Sequence, residues 1–340
     1  MWLFSHGSLP AGLGRGIQLL TMLRFILRRL GLSILTLFLI LVVVFLLTRV
    51  FPQDPAKQLA GPFGSEERVA ELNEKLGFND PLTTQFGRLV RDVVTFDFGE
   101  SFSQPGVRVL DLVRPALWNS AKLVFLALAI TLPVSIFGGV MAARHKDTLL
   151  DRSIVSFGVA SSSIPDFVSG VLLQFVVAVQ LGWLPSISNP PADAGFFTEI
   201  RFLLLPALAI VFVYFGYIAR ITRAGAITAF ESDYARTAFM KGLSTTTVVR
   251  KHILKNALQP TVAVVGTQMG YLFGGLIGLE IVFNYPGLGR LIFRAATAPD
   301  FPLLQTSVVV VAIIFMSATL IADMVVAWMN PRARLAGGDS

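Results

Sequence analysis

The chain contains no cysteine and only three histidines among its 340 residues. A disulfide framework, a cysteine nucleophile and a thiolate metal site are therefore excluded. Three scattered histidines give little material for a metal cluster, and no nucleophile–base pair stands out in the sequence. These absences argue against a membrane-bound or soluble enzyme.

A phosphate-binding loop of the form Gly-x-x-x-x-Gly-Lys-Ser/Thr is also missing. The stretch Gly287-Leu288-Gly289-Arg290 has the wrong spacing and is expected to form a turn. We therefore expect no ATPase activity and no cofactor in this chain.

Charged residues are scarce as well, at 14% of the sequence, whereas 54% of the residues are apolar. So few charges could not keep such a large apolar core dissolved in water, so the composition points to lipid. The net charge of +7 is then expected to reflect membrane topology rather than nucleic-acid binding.

Apolar windows without charge divide the chain into membrane spans. A hydrocarbon core of about 30 Å requires roughly 20 apolar residues of helix. The sequence therefore predicts an all-α, polytopic membrane protein with six transmembrane helices. Their windows are Leu30–Thr48, Leu123–Ala143, Phe167–Ala192, Phe202–Ala219, Asn256–Leu279 and Phe301–Ala322. The first window runs into Arg49 and Pro52 rather than a small-residue cleavage site, so it is expected to remain as a span.

Basic residues indicate the orientation, because they favour the cytoplasmic side. Alternation of six spans places four segments on one side, with net charges of +4, +1, +5 and +1. The segments on the opposite side sum to −2. Both termini are therefore expected in the cytoplasm. The four basic segments are residues 1–29, 144–152, 220–255 and 332–340.

The external segment between the first two windows contains short helical pieces. Ser65 precedes an amphipathic run from Glu66 to Leu72, which predicts a helix capped by the serine. Turn signals at Asn79-Asp80-Pro81 and Gln104-Pro105-Gly106 divide the remainder. A small lid or platform outside the membrane is expected here.

A long loop on the basic side is the most informative part of the sequence. It predicts a helix ending at Gly242, a second helix capped by Ser244, and Pro260 opening the fifth span. Arg236 and Lys241 lie on this elbow, which is suited to a cytosolic protein surface. Contact with anionic lipid is the alternative interpretation.

At these residues the sequence resembles the inner-membrane permease family of binding-protein-dependent ABC importers, in its dipeptide, oligopeptide and nickel branch. The family's Glu-Ala-Ala loop is matched by Arg236-Thr237-Ala238 with Gly242, a variant of the motif that is typical of that branch. The resemblance covers about residues 22 to 335. Supporting motifs follow in order: Phe51-Pro52-Gln53-Asp54-Pro55, Leu76-Gly77-Phe78-Asn79-Asp80-Pro81, Phe96-Asp97-Phe98-Gly99-Glu100-Ser101, Ser163-Ile164-Pro165, Gly182-Trp183-Leu184-Pro185, Glu280 to Gly289, and Asn330-Pro331-Arg332.

The resemblance implies the type I ABC importer permease fold in a bacterial plasma (inner) membrane. It also implies a second homologous permease subunit, two cytosolic ATPase subunits that bind ATP and Mg²⁺, and an external substrate-binding protein. The implied organisation is a cytoplasmic segment at 1–29, a first transmembrane helix at 30–51, an external segment at 52–117, a permease core at 118–331 that includes the cytoplasmic coupling loop 220–256, and a cytoplasmic tail at 332–340.

The coupling loop is the part that would contact the ATPase. The resemblance carries this role onto Tyr234, Arg236, Thr237, Ala238, Lys241 and Gly242.

Charges near the spans are few, and each needs an explanation because charge in lipid is costly. Asp166 follows Ser163 and Pro165 at an expected helix break, where its carboxylate could line the translocation pathway. Capping of the following helix is the equally weighted alternative. Glu280 is expected at the outer edge facing the binding protein, and Asp323 near the inner end of the sixth span, with structural roles favoured for both.

Peptides are the leading substrate class implied by the resemblance. Nickel complexes, glutathione, opines and oligosaccharides stay open, because specificity depends largely on the external binding protein. An ion-coupled carrier is the remote alternative, since it should contain chains of buried ionisable groups, and this sequence offers only isolated ones.

Overall fold

The computed structural model describes residues 11–50, 55–61, 63–191 and 193–329. Within these ranges the protein is helical, and the only pairing of extended backbone is an isolated bridge between Glu100 and Arg108. The helices are α1 Ala11–Phe45, α2 Pro55–Ala60, α3 Glu66–Lys75, α4 Leu82–Thr95, α5 Val109–Arg144, α6 Leu149–Ser162, α7 Asp166–Leu173, α8 Phe196–Phe230, α9 Asp233–Met240, α10 Thr245–Val248, α11 Leu254–Val282, α12 Leu288–Thr297 and α13 Phe301–Met329. Short π-helical stretches follow α1 at Leu46–Val50, α7 at Gln174–Gln180 and α10 at Val249–Ile253.

Four helices in the described part are long and apolar enough to cross a membrane: α1 from Leu27, α5, α8 and α13. The bent pair α6 and α7, with its π-helical continuation, makes up to a fifth span. The all-α, polytopic class predicted from the sequence is confirmed. A sixth span would require α11, which has 29 residues.

The third span differs from its predicted window, Phe167–Ala192. It begins with α6, where the sequence predicted no helix. It then bends by 100° before α7. Helical structure then ends at Gln180, because Gly182 adopts a left-handed φ of +64° and Pro185 follows.

The fourth and fifth helices are also longer than predicted. α8 continues to Phe230, well beyond its window and into the predicted coupling loop. Pro260, expected to open the fifth span, lies inside α11, and the backbone stays helical from Thr245 through a π-helical stretch. A proline within a membrane helix is tolerated where neighbouring helices pack against it, and α8 packs here at Gly225.

A close contact between α6 and α8 positions the bent pair. A Cβ atom added to Gly216 would lie 1.9 Å from the carbonyl oxygen of Gly158, and one added to Gly158 would lie 2.7 Å from the Cα of Gly216. The two backbones therefore touch without intervening side chains. Small residues of this kind are what membrane helices use to pack tightly.

The external segment rests on the opposite end of the bundle from α9. Its α3 begins as predicted, with the Ser65 hydroxyl accepting a hydrogen bond from the Arg68 N–H at 3.2 Å. Apolar side chains of α4 and the following loop, among them Leu89 and Phe98, are buried against α1, α5, α12 and α13. The segment is thus a packed extension of the bundle.

Replacement of Gly216 by alanine tests the contact between α6 and α8. We expect Gly216→Ala to lower the free energy of unfolding by at least about 1–3 kcal/mol, because overpacking forces the two backbones apart. The thermal unfolding midpoint in detergent would fall. Gly31→Ala is the control, because nothing lies within 4 Å of an added Cβ at that position of α1. Equal midpoints for both variants would contradict this packing.

Candidate functional site

The loop that joins α8 to α11 forms the predicted elbow. Ser232 caps α9, and its hydroxyl accepts a hydrogen bond from the Ala235 N–H at 3.4 Å. Gly242 ends this helix with a left-handed φ of +75°, which a residue without a side chain adopts most easily. Ser244 then caps α10, accepting from the Thr247 N–H at 3.4 Å. The helix–glycine–helix prediction is confirmed.

Five of the six residues assigned to coupling are exposed on this elbow: Tyr234, Arg236, Thr237, Lys241 and Gly242. Ala238 is different, since only 4% of it is accessible. It packs with Ala143, Ala226 and Ile253 in the small core that anchors α9 to the bundle. The Ala238 side chain therefore faces the bundle, and its assignment to the ATPase contact stays a prediction.

Three apolar residues on the elbow were not singled out from the sequence. Met240 is 75% exposed, Phe239 40% and Leu243 38%. Together with Tyr234, at the start of α9, these exposed apolar residues are here called the elbow face. Apolar side chains on a segment outside the spans were the available signal, because exposed apolar groups that cluster mark an interaction site.

Charged side chains join the end of α8 to the turn between α5 and α6. Arg223 of α8 donates two hydrogen bonds to Asp151 of α6, at 2.6 and 2.7 Å. Nearby, the Lys146 ammonium lies 3.0 Å from the Glu231 carboxylate, which raises the pKa of that lysine. Both ends of the predicted nine-residue inner loop are thereby held against the last turns of α8.

The predicted helix break lies between α6 and α7. Ser163 and Pro165 are exposed there, and Asp166 is half-buried as the first residue of α7. One carboxylate oxygen of Asp166 accepts a hydrogen bond from the Phe167 N–H at 2.7 Å. The other lies 3.0 Å from the position of a Cβ at Gly275, so α11 passes close to the carboxylate.

Glu280, expected to face the external binding protein, is fully buried. Its carboxylate accepts hydrogen bonds from the Ser120 hydroxyl at 2.5 Å and the Arg290 N–H at 2.8 Å. Tyr285 donates its hydroxyl to the Asn119 carbonyl at 2.7 Å, and burial raises the pKa of that tyrosine. The outward-facing expectation is wrong, and the geometry supports the structural role, which joins α5 to the turn before α12.

Two further carboxylates connect helices. Asp323 lies 3.1 Å from Arg29, which joins α13 to α1. Asp300 is fully buried and accepts five hydrogen bonds, four from the external segment and one from α13. The donors are the Ser101 hydroxyl, the Phe102 N–H, the N–H and hydroxyl of Ser103, and the Leu303 N–H. Asp300 thus fixes the external segment to the start of α13.

Within the described residues there is no group of three or more histidine, cysteine or carboxylate side chains suited to a metal ion.

Comparisons with known proteins decide the family. Residues 135–335 match the model of the binding-protein-dependent transport system inner membrane component, and residues 22–108 match the model of its N-terminal part. The chain belongs to this family of inner-membrane permeases. The resemblance found in the sequence is confirmed.

Individual relatives match along nearly their whole length. A probable peptide ABC transporter permease, y4tP of Sinorhizobium fredii, is 36% identical over 310 residues, covering 91% of this chain and 99% of that protein. The glutathione transport system permease GsiC of Salmonella paratyphi A is 35% identical, covering 92% and 99%. The dipeptide transport system permease DppB of Alkalihalophilus pseudofirmus is 32% identical, covering 92% and 100%.

Removal of the Asp300 carboxylate tests how the permease holds its external segment. We expect Asp300→Ala to raise amide hydrogen exchange at residues 101–104 at least about tenfold, because five donors lose their acceptor. Asp97→Ala is the control, since that exposed carboxylate accepts one long hydrogen bond, at 3.5 Å, from the Gly99 N–H. Unchanged exchange at residues 101–104 in Asp300→Ala would contradict the assigned role.

Proposed function

We propose that this permease forms half of the translocation pathway of an ATP-driven importer of short peptides. The observation that carries the substrate class is the end-to-end similarity to permeases named for peptides, dipeptides and glutathione. These three names share one chemistry, a short chain of amide bonds with a charged terminus. A second homologous permease would supply the other half of the pathway, and an external binding protein would deliver the peptide.

The proposed topology has six spans, with α11 as the fifth. At a rise of 1.5 Å per residue its 29 residues are about 43 Å long, enough to cross the hydrocarbon core. The end of the bundle that holds α9 would face the cytoplasm, in agreement with its basic residues. Both termini, within residues 1–29 and 332–340, would lie on that side of the bacterial inner membrane.

The elbow face is the proposed contact with an ATPase subunit. It presents Met240, Phe239, Leu243 and Tyr234 beside the cations Arg236 and Lys241. An apolar centre surrounded by polar residues is the usual anatomy of a protein interface. In the proposed complex the partner subunits bind ATP and Mg²⁺, and this chain has the transport role alone.

Charge placed on the elbow face tests this contact. We expect Met240→Asp to reduce the amount of ATPase subunit that co-purifies with the permease at least about tenfold, because it buries an unpaired charge at the centre of the interface. The measurement is affinity purification in mild detergent after co-expression with the neighbouring genes. Phe63→Asp is the matched control, since Phe63 is 99% exposed in the external segment. Equal loss in both variants would refute the assignment.

The proposed pathway passes the break between α6 and α7. There Asp166 would meet the ammonium group of a peptide, and the exposed Ser163 and Pro165 would line the same opening. The half-buried setting of Asp166 supports this role, because a carboxylate partly removed from water attracts a cation more strongly than one on the surface.

Peptide uptake tests both the substrate class and Asp166. Cells without this chain and without a redundant system are expected to lose uptake of a labelled dipeptide. With Asp166→Asn, we expect the KM for a dipeptide with a free amino terminus to rise about tenfold, and the KM for its N-acetylated form to stay unchanged. Asp193→Asn, on the exposed loop before α8, is the control. Equal effects of Asp166→Asn on both dipeptides would refute the contact with the ammonium group. Normal dipeptide uptake in cells without the chain would refute peptides as the substrate class.

A further inference from the structure

A buried ion pair joins α6 to α8 just before the elbow. The two Arg223 nitrogens that donate, Nε and Nη2, reach different oxygens of Asp151, at 2.6 and 2.7 Å. The Asp151 side chain is 4% exposed and that of Arg223 25%. A bidentate arginine–carboxylate pair of this kind fixes the relative rotation and register of two helices, which a single hydrogen bond leaves free.

Asp151 has a further donor from its own turn. The Asp147 N–H donates to the same carboxylate at 2.9 Å, and Asp147 has a left-handed φ of +66°. Thr148 begins α6 as its cap. The turn between α5 and α6 is therefore shaped around the carboxylate that holds Arg223.

The backbone contact of Gly158 and Gly216 is a second tie between the same two helices. It lies seven residues along each helix from the ion pair, which is two helical turns in both cases. Two ties two turns apart prevent α6 and α8 from rotating or sliding relative to each other. The pair is thus built to move as one body.

The pair of helices α6 and α8 extends from the elbow face to the break between α6 and α7. α8 ends at Phe230, and only Glu231 and Ser232 separate it from α9 and the elbow face. α6 ends at Ser162, and the break with Ser163 and Pro165 follows at once. A displacement of α9 applied to α8 therefore reaches the break without passing through a flexible loop.

We propose that Asp151 and Arg223 are positioning residues for transport, and that their ion pair makes α6 and α8 the rigid connection between the ATPase contact and the helix break. This proposal rests on the proposed function. It identifies the residues that would connect the ATPase contact to the translocation pathway in that importer. Stability alone is a weak reason for such a pair, because apolar residues of similar size often replace a buried ion pair without loss. The bidentate geometry is the feature that apolar packing would not reproduce.

Arg223→Gln in the full transport complex tests the connection. We expect peptide transported per ATP hydrolysed to fall at least about fivefold, because coupling free energies of this kind correspond to factors of five and more. Hydrolysis itself would continue. The chain has no cysteine, so Ser163→Cys gives it a single site for a maleimide label, at the break, and the labelling is read on this chain after the subunits are separated. We expect its labelling rate to change on trapping with ATP and vanadate when Arg223 is present, and not in Arg223→Gln.

Lys146→Gln is the matched control, because it removes an ion pair at the same turn that is exposed. It is expected to keep both readouts. Arg223→Lys retains the charge but not the bidentate bond, and decides the question by the same measurements if Arg223→Gln fails to assemble. Nucleotide-dependent labelling and unchanged coupling in the Arg223 variants would overturn this inference alone. If the labelling rate does not change with ATP and vanadate even when Arg223 is present, the proposed function is overturned as well.

Discussion

The approach of α6 to α8 at Gly158 and Gly216 is the constraint on which the arrangement of the bundle depends. Lipid tails are as apolar as leucine side chains, so the hydrophobic effect does not press helices together inside a bilayer. Close contact between helix backbones holds the helices together instead. Such contact exists only where no side chain lies between the backbones. Since α8 also packs against α5, α7 and α11, the position of α6 sets where the broken span meets the rest of the bundle.

Irregular backbone is the second problem that this fold solves, because unpaired N–H groups are costly where water is absent. Three buried carboxylates lie next to the irregular stretches and accept their donors. Asp151 holds the turn before α6, Glu280 the first turn of α12, and Asp300 the loop before α5 together with the start of α13. In each case one acidic side chain joins two segments that are distant in sequence.

Hydropathy was sufficient to find the long helices, because a run of apolar residues is a local property. The existence of α1, α5, α8, α11 and α13 was predicted, as were the Ser65 cap and the turn at Gly242. Apart from the start of α13 at Phe301, the ends of the long helices were not predicted. α8 extends beyond its apolar window because Arg223 is neutralised by Asp151, a residue 72 positions away. α6 was missed because only the 13 residues from 153 to 165 are free of charge there, too few for a span of their own.

The candidate site shows the same division between local and distant causes. The position and shape of the elbow follow from glycine and serine at fixed spacing. Which side of α9 faces outward does not, because it depends on a core that Ala238 shares with Ala143, Ala226 and Ile253 of other helices. The buried position of Glu280 likewise depends on Ser120, 160 residues away. Its place after an apolar span predicted only that it lies near the membrane surface.

The inward side of α9 and its outward side serve one purpose when considered together. A helix that only touched lipid or a partner could be attached through flexible loops, yet α9 has small alanines packed against the bundle while its large apolar side chains are exposed. Small inward residues bring its backbone close to α8 and leave little room for it to move independently. If an ATPase subunit binds Met240 and Phe239 as proposed, a displacement at these residues would be passed to α8 rather than absorbed in the elbow.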